Sequence, residues 1–75
     1  MQELVEFIAK GLVDSPDQVS VTAVEGEQSV IYELRVAPDD IGKVIGKEGR
    51  IAKSIRTLLK VAGAKEHKRA VLEIL

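Results

Sequence analysis

The chain has 75 residues, no cysteine and a single histidine, His67, so it has room for one domain and no means of building a disulfide, a thiolate metal site or a multi-histidine centre. Hydrophobic residues make up 45% of it, enough for a modest core, and no apolar run approaches the roughly 20 residues of a membrane helix. The net charge of −1 hides a division: residues 1–40 carry nine acids against two bases, net −7, and residues 41–75 carry nine bases against three acids, net +6.

That asymmetry has two readings: an electrostatic footprint on the second half, or charges that only solvate a surface on which folding mixes the halves. The opening Met1-Gln2-Glu3-Leu4 has acid where a secretory signal carries base, so a reducing, cytoplasmic setting is expected. Residues 3–13 then read as a helix. Leu4, Ile8 and Leu12 recur every four residues, with Val5 and Phe7 beside them. Glu6 and Lys10 are spaced for an i,i+4 ion pair. Asp14-Ser15-Pro16-Asp17 ends the helix, because proline disfavours helical backbone at the residue before it.

Residues 19–25 are rich in β-branched types and predict a strand, and Glu25-Gly26-Glu27-Gln28 predicts a turn. In residues 29–37, Val30, Tyr32, Leu34 and Val36 alternate with Glu33 and Arg35, which predicts a second strand, antiparallel to the first. Pro38 marks the next boundary, with Asp39 as a helix N-cap and Asp40 in the first turn. Ile41, Val44 and Ile45 give a helix of about two turns, broken at Gly46–Gly49. A longer helix follows from about Arg50 to Ala62, with Ile51, Ile55, Leu58, Leu59 and Ala62 on its buried face and Gly63 as its C-cap. Residues 69–75 alternate again, with Ala70, Leu72 and Ile74 on one side. The resulting order, α-β-β-α-α-β, predicts an α+β domain with three helices on one face of a three-stranded sheet. The opposite face, with Glu33, Arg35 and Glu73, is expected to be wet.

The chemistry concentrates at Ile41-Gly42-Lys43-Val44-Ile45-Gly46-Lys47-Glu48-Gly49-Arg50-Ile51. Glycines three apart present backbone with no Cβ in the way, at the start of a helix whose free N–H groups and dipole favour an anion. Cations flank them. A phosphate chain can lie against such a turn, although a tight helix connection without ligand would need the same glycines. Gly42 also leaves two readings open, close helix packing and ligand approach. Lys53, Arg56 and Lys60 read as a solvated face, with Lys53, nearest the turn, the exception. His67, within Lys65-Glu66-His67-Lys68-Arg69, reads as exposed loop. The acids of the first half read mainly as solvating.

Val44-Ile45-Gly46-Lys47-Glu48-Gly49-Arg50-Ile51-Ala52-Lys53-Ser54-Ile55 resembles the signature of KH domains, which clamp about four nucleotides on a Gly-x-x-Gly loop. The helix-first, strand-last order is similar to the type II form of that fold, and the whole of residues 1–75 resembles the small bacterial KH proteins of the KhpA type. The resemblance implies a single type II KH domain with a mixed sheet. It implies single-stranded RNA as partner, cytoplasmic location and little base preference. It also implies pairing with a second copy or with another KH-containing protein. The group is associated with RNA chaperone activity and with RNA-level regulation of cell shape and cell wall organisation.

Carried onto this sequence, Gly46, Lys47, Glu48, Gly49 and Arg50 form the clamp, with Gly42 before it. Ile45 offers apolar surface to a base, and Lys43 and Lys53 are outer contacts. The pair Lys47-Glu48 has no net charge where many KH loops carry base, which shifts weight to backbone amides, Arg50 and Lys43. With only Phe7 and Tyr32 aromatic, a stacking platform is not expected. No cofactor, metal or catalytic role is expected either. The glycine spacings match neither Gly-x-Gly-x-x-Gly nor the Walker pattern, and Asp39-Asp40 suits a helix start better than acid–base work.

Overall fold

The computed structural model describes all 75 residues. Helix α1 spans Gln2–Leu12, strand β1 Ser20–Glu25, strand β2 Ser29–Arg35, helix α2 Ile41–Ile45, helix α3 Arg50–Lys65 and strand β3 Arg69–Ile74. Short 3-10 turns at Pro16–Gln18, Pro38–Asp40 and Lys47–Gly49 join them. The expected α-β-β-α-α-β order is present, each element within about three residues of its expected ends.

The sheet runs β1-β2-β3, with β1 antiparallel and β3 parallel to the central β2. Opposed residues Val21, Leu34 and Ile74, and Ala23, Tyr32 and Leu72, share its helix-covered face. Against them pack Val5 and Ala9 of α1, Val44 of α2, and Ile55 and Leu59 of α3. All three helices therefore cover one side, as a type II KH fold requires. The other side is not uniformly polar: Val24, Ile31 and Val71 lie in register across the three strands, beside a row of Thr22, Glu33 and Glu73. Val24 and Val71 are exposed. No helix is long and apolar enough to cross a membrane.

The helix faces differ in part from the periodic expectation. In α1 the buried stripe is Val5 and Ala9, flanked by Met1, Ile8 and Leu12. Phe7 lies about 200° round the helix from Val5 and is 77% exposed; Leu4 is 42% exposed. Glu6 and Lys10 form the expected pair at 2.8 Å. In α3, Ala52, Ile55, Leu59 and Gly63 are buried, but Leu58 is 53% exposed and does not share that face. A helix wide enough to hold five apolar positions meets a sheet broad enough for only part of that arc.

Gly63 is not the C-cap. It lies within α3, where a Cβ would stand 2.6 Å from the Lys68 carbonyl oxygen and 3.1 Å from the Ala70 Cβ. Its lack of a side chain lets the end of α3 lie against the start of β3. The helix is closed instead by His67 in the left-handed region, φ 58°. Its N–H donates to the Ala64 carbonyl (3.2 Å), and the Lys68 N–H donates to the Gly63 carbonyl (2.9 Å). This is a Schellman closure with histidine where glycine is usual.

Candidate nucleic-acid interface

The Gly-x-x-Gly turn is built by two different glycine requirements. Gly46 has φ 80°, and a Cβ there would meet the Ile51 side chain at 2.6 Å. It is therefore fixed both by backbone conformation and by the packing of Ile51 beneath it. Gly49 has φ 74°, yet a Cβ there would meet nothing of the protein. The space over Gly49 opens to solvent. Glu48 between them is left-handed, φ 58° and ψ 24°, as is Gly49, so three of four residues from 46 to 49 have positive φ.

The turn uses some of its own donors. The Gly46 N–H goes to the Gly42 carbonyl and the Gly49 N–H to the Gly46 carbonyl, at 2.9 and 3.1 Å. No carbonyl outside the short turn takes the N–H of Lys47 or Glu48. No side chain caps α3. The free N–H groups of Lys47 and Glu48 thus lie in the turn that leads into the positive end of a 16-residue helix.

Gly42 is exposed, with no atom within 4 Å of where its Cβ would be. Close helix packing therefore does not explain it. Ile45 is 37% exposed at the end of α2, beside the turn. Lys47, Arg50 and Lys53 are exposed. Arg50 donates to the Glu48 carboxylate at 3.2 Å; Lys47 and Lys53 stand in no ion pair.

Lys43 is placed differently from an outer contact that reaches freely into solvent. Its ammonium donates to Asp14 at 2.7 Å and to Asp40 at 3.3 Å. Asp40 is almost fully buried and does not serve α2 as a side-chain cap, nor does Asp39. Its carboxylate instead accepts the N–H groups of Asp14 (3.2 Å) and Ser15 (3.1 Å), just past the end of α1. Burial by itself would raise the Asp40 pKa, but these two amides and Lys43 outweigh it and hold the carboxyl below its ordinary value. Hydrogen bonds to Asp14 and then Asp40 push the Lys43 ammonium up, against the opposing effect of desolvation. The cluster ties the base of α2, and so the turn that follows, to α1.

Beyond the turn, sequence reasoning missed part of the surface. Arg56 and Lys60 of α3 and Arg69 of β3 surround a hollow of about 300 Å³ floored by Ala70, Val71 and Leu72. None of the three cations is ion-paired. The outer edge of β3, which borders this hollow, has no neighbouring strand, so backbone N–H and C=O groups along it lack sheet partners. The spacing of Lys53, Arg56 and Lys60 carried the signal. Its meaning depended on β3 lying parallel beside α3, which no local pattern reveals.

The family model described as "KhpA/KhpB, KH domain" matches residues 2–74. The chain belongs to this KH family. A Clostridium acetobutylicum protein named RNA-binding protein KhpA is 64% identical over all 75 residues of both chains. Relatives of the same name from Caldanaerobacter subterraneus subsp. tengcongensis and Aquifex aeolicus are 61% and 56% identical, covering all of this chain and 100% and 95% of their own lengths. No solved structure matches the chain.

Proposed function

We propose that this KH domain binds single-stranded RNA, without catalysis, through the Gly46–Gly49 turn and the groove between α3 and the free edge of β3. The observation that carries the reading is Gly49: a left-handed glycine with open space before it, at an uncapped helix start. A phosphodiester can press against that backbone, with Lys47 and Arg50 adding charge-assisted contacts and Lys53 an outer one. Ile45 offers a base an apolar face, and the β3 edge offers hydrogen bonds to base edges. Backbone contacts and a lack of aromatic stacking favour low base preference, which suits post-transcriptional regulation of many messages in the cytoplasm. The naming of three relatives as RNA-binding proteins supports the same partner.

The test replaces Lys47 and Glu48 together with Asp. Circular dichroism should report an unchanged fold, and affinity for single-stranded oligoribonucleotides should fall about tenfold or more as one phosphate contact becomes a repulsion. Unaltered affinity excludes the clamp.

A second reading has its own observation. Leu4, Phe7, Leu58 and Val61 leave an apolar strip along α1 and α3, and Leu4, Leu58 and Val61 line a shallow groove there. This surface suits pairing with a second KH domain, the same chain or another. Two clefts held together would also raise the affinity of a weak single site. Light scattering after size exclusion, with and without RNA, separates the readings. A tight dimer whose amides 42–53 gain no protection from RNA favours pairing as the main role.

A further inference from the structure

Between residues 41 and 65 the chain holds seven cations and one carboxylate, Glu48. That carboxylate sits inside the Gly-x-x-Gly turn and is bonded to Arg50 at 3.2 Å. Lys47, Lys53, Arg56, Lys60 and Arg69 stand in no ion pair. Lys43 of α2 is held by Asp14 and Asp40; among the cations of the turn and of the α3–β3 groove, only Arg50, at the helix start, is already engaged. The engagement is local, reaching back two residues, and it is made from a left-handed backbone that a glutamate adopts only at a cost.

A carboxylate presents two anionic oxygens to a guanidinium much as a phosphodiester does. We propose that Glu48 is a built-in competitor for the nucleic-acid phosphate, occupying Arg50 in the free protein and released from it when a phosphate seats on the turn. This inference rests on the RNA reading and specifies how its site is held in check. Each binding event exchanges one anion on Arg50 for another, so the net gain at that residue is small. Affinity then depends on the unpaired cations further along α3, and a strand too short to reach Arg56 and Lys60 binds poorly.

The experiment measures a fluorescent oligouridylate against Glu48→Gln and Glu48→Asn in about 50 mM salt. Asparagine is well suited to left-handed backbone, so it guards against a loosened turn in the glutamine variant. Both variants should bind about fivefold more tightly than the parent, the scale of one exposed ion pair released. In an Arg50→Gln background the same substitutions should give almost no gain. Absence of any gain, in a parent that binds RNA and is weakened by Arg50→Gln, overturns the inference and leaves the RNA reading standing. A gain of equal size without Arg50 also overturns it, because the carboxylate then acts as a diffuse repulsive charge. Failure of the parent and every variant to bind overturns both readings.

Discussion

Asp40 does more for this fold than its place before the five-residue helix α2 suggests. A carboxylate enclosed by protein is tolerated only when its oxygens are bonded, and here two backbone amides and Lys43 supply the bonds. Because its folded pKa is depressed, Asp40 contributes stability that is present above the unfolded value, about 4, and is lost as pH falls through the folded value. Lys43 works in the other direction. Its pKa is raised, so its contribution is full below about 10.4 and fades as pH rises further. Urea unfolding across pH should therefore show stability declining at both ends. Asp40→Asn should lower stability at neutral pH and flatten the acid limb. An acid limb as steep in the variant as in the parent would show that another carboxylate controls it. Replacing Lys43 should blunt the alkaline decline.

At the scale of elements, the meeting of α3 with β3 decides the geometry of the groove. Gly63 permits it and His67 closes it. Gly63→Ala supplies a better helix former, yet its methyl would stand 2.6 Å from a backbone oxygen that cannot swing away. Thermal unfolding should place this variant about 1–3 kcal/mol below the parent, the usual cost of overpacking. A stabilised variant would mean that the helix end shifts freely. His67→Gly should do the reverse, gaining about 0.5–1 kcal/mol as left-handed strain is relieved. Calorimetry reads that gain as a rise of a few degrees in Tm. These two residues also show what sequence pattern can reveal. Alternation in β2 and the four-residue recurrence in α1 gave the elements, because burial repeats with backbone period. The helix stop could not be assigned the same way. Gly63 looks like a C-cap from its neighbours, and only the position of β3 shows that it serves close approach instead. Phe7 and Leu58 followed the apolar pattern but not burial, since the width of the covered stripe depends on the sheet beneath.

Across the whole molecule, the division of charge along the chain becomes partly a division in space. The sole acid of α2, the turn and α3 is Glu48, while Lys53, Arg56, Lys60 and Arg69 leave the groove side of α3 positive. Lys43 is the exception, drawn toward Asp14 and Asp40 of the acidic half. The turn itself was legible in sequence, because its glycines and its cations are contiguous. The groove beyond it was not: Arg56 and Arg69 are 13 positions apart and meet only when β3 pairs parallel to β2. If RNA follows that groove, Arg56 and Lys60 neutralise phosphates that the Gly-x-x-Gly turn does not reach. Each phosphate contact on a single strand contributes about 0.7 to the slope of log affinity against log salt. Replacing both residues with Gln should therefore lower the slope by about 1.4 for an oligonucleotide long enough to span turn and groove, and weaken binding most at low salt. Thermal stability should not change, because both side chains are exposed and unpaired. A trinucleotide confined to the turn should bind parent and variant alike. An unaltered slope with the longer strand would place the bound chain on the turn alone, with the basic face of α3 left to solvent.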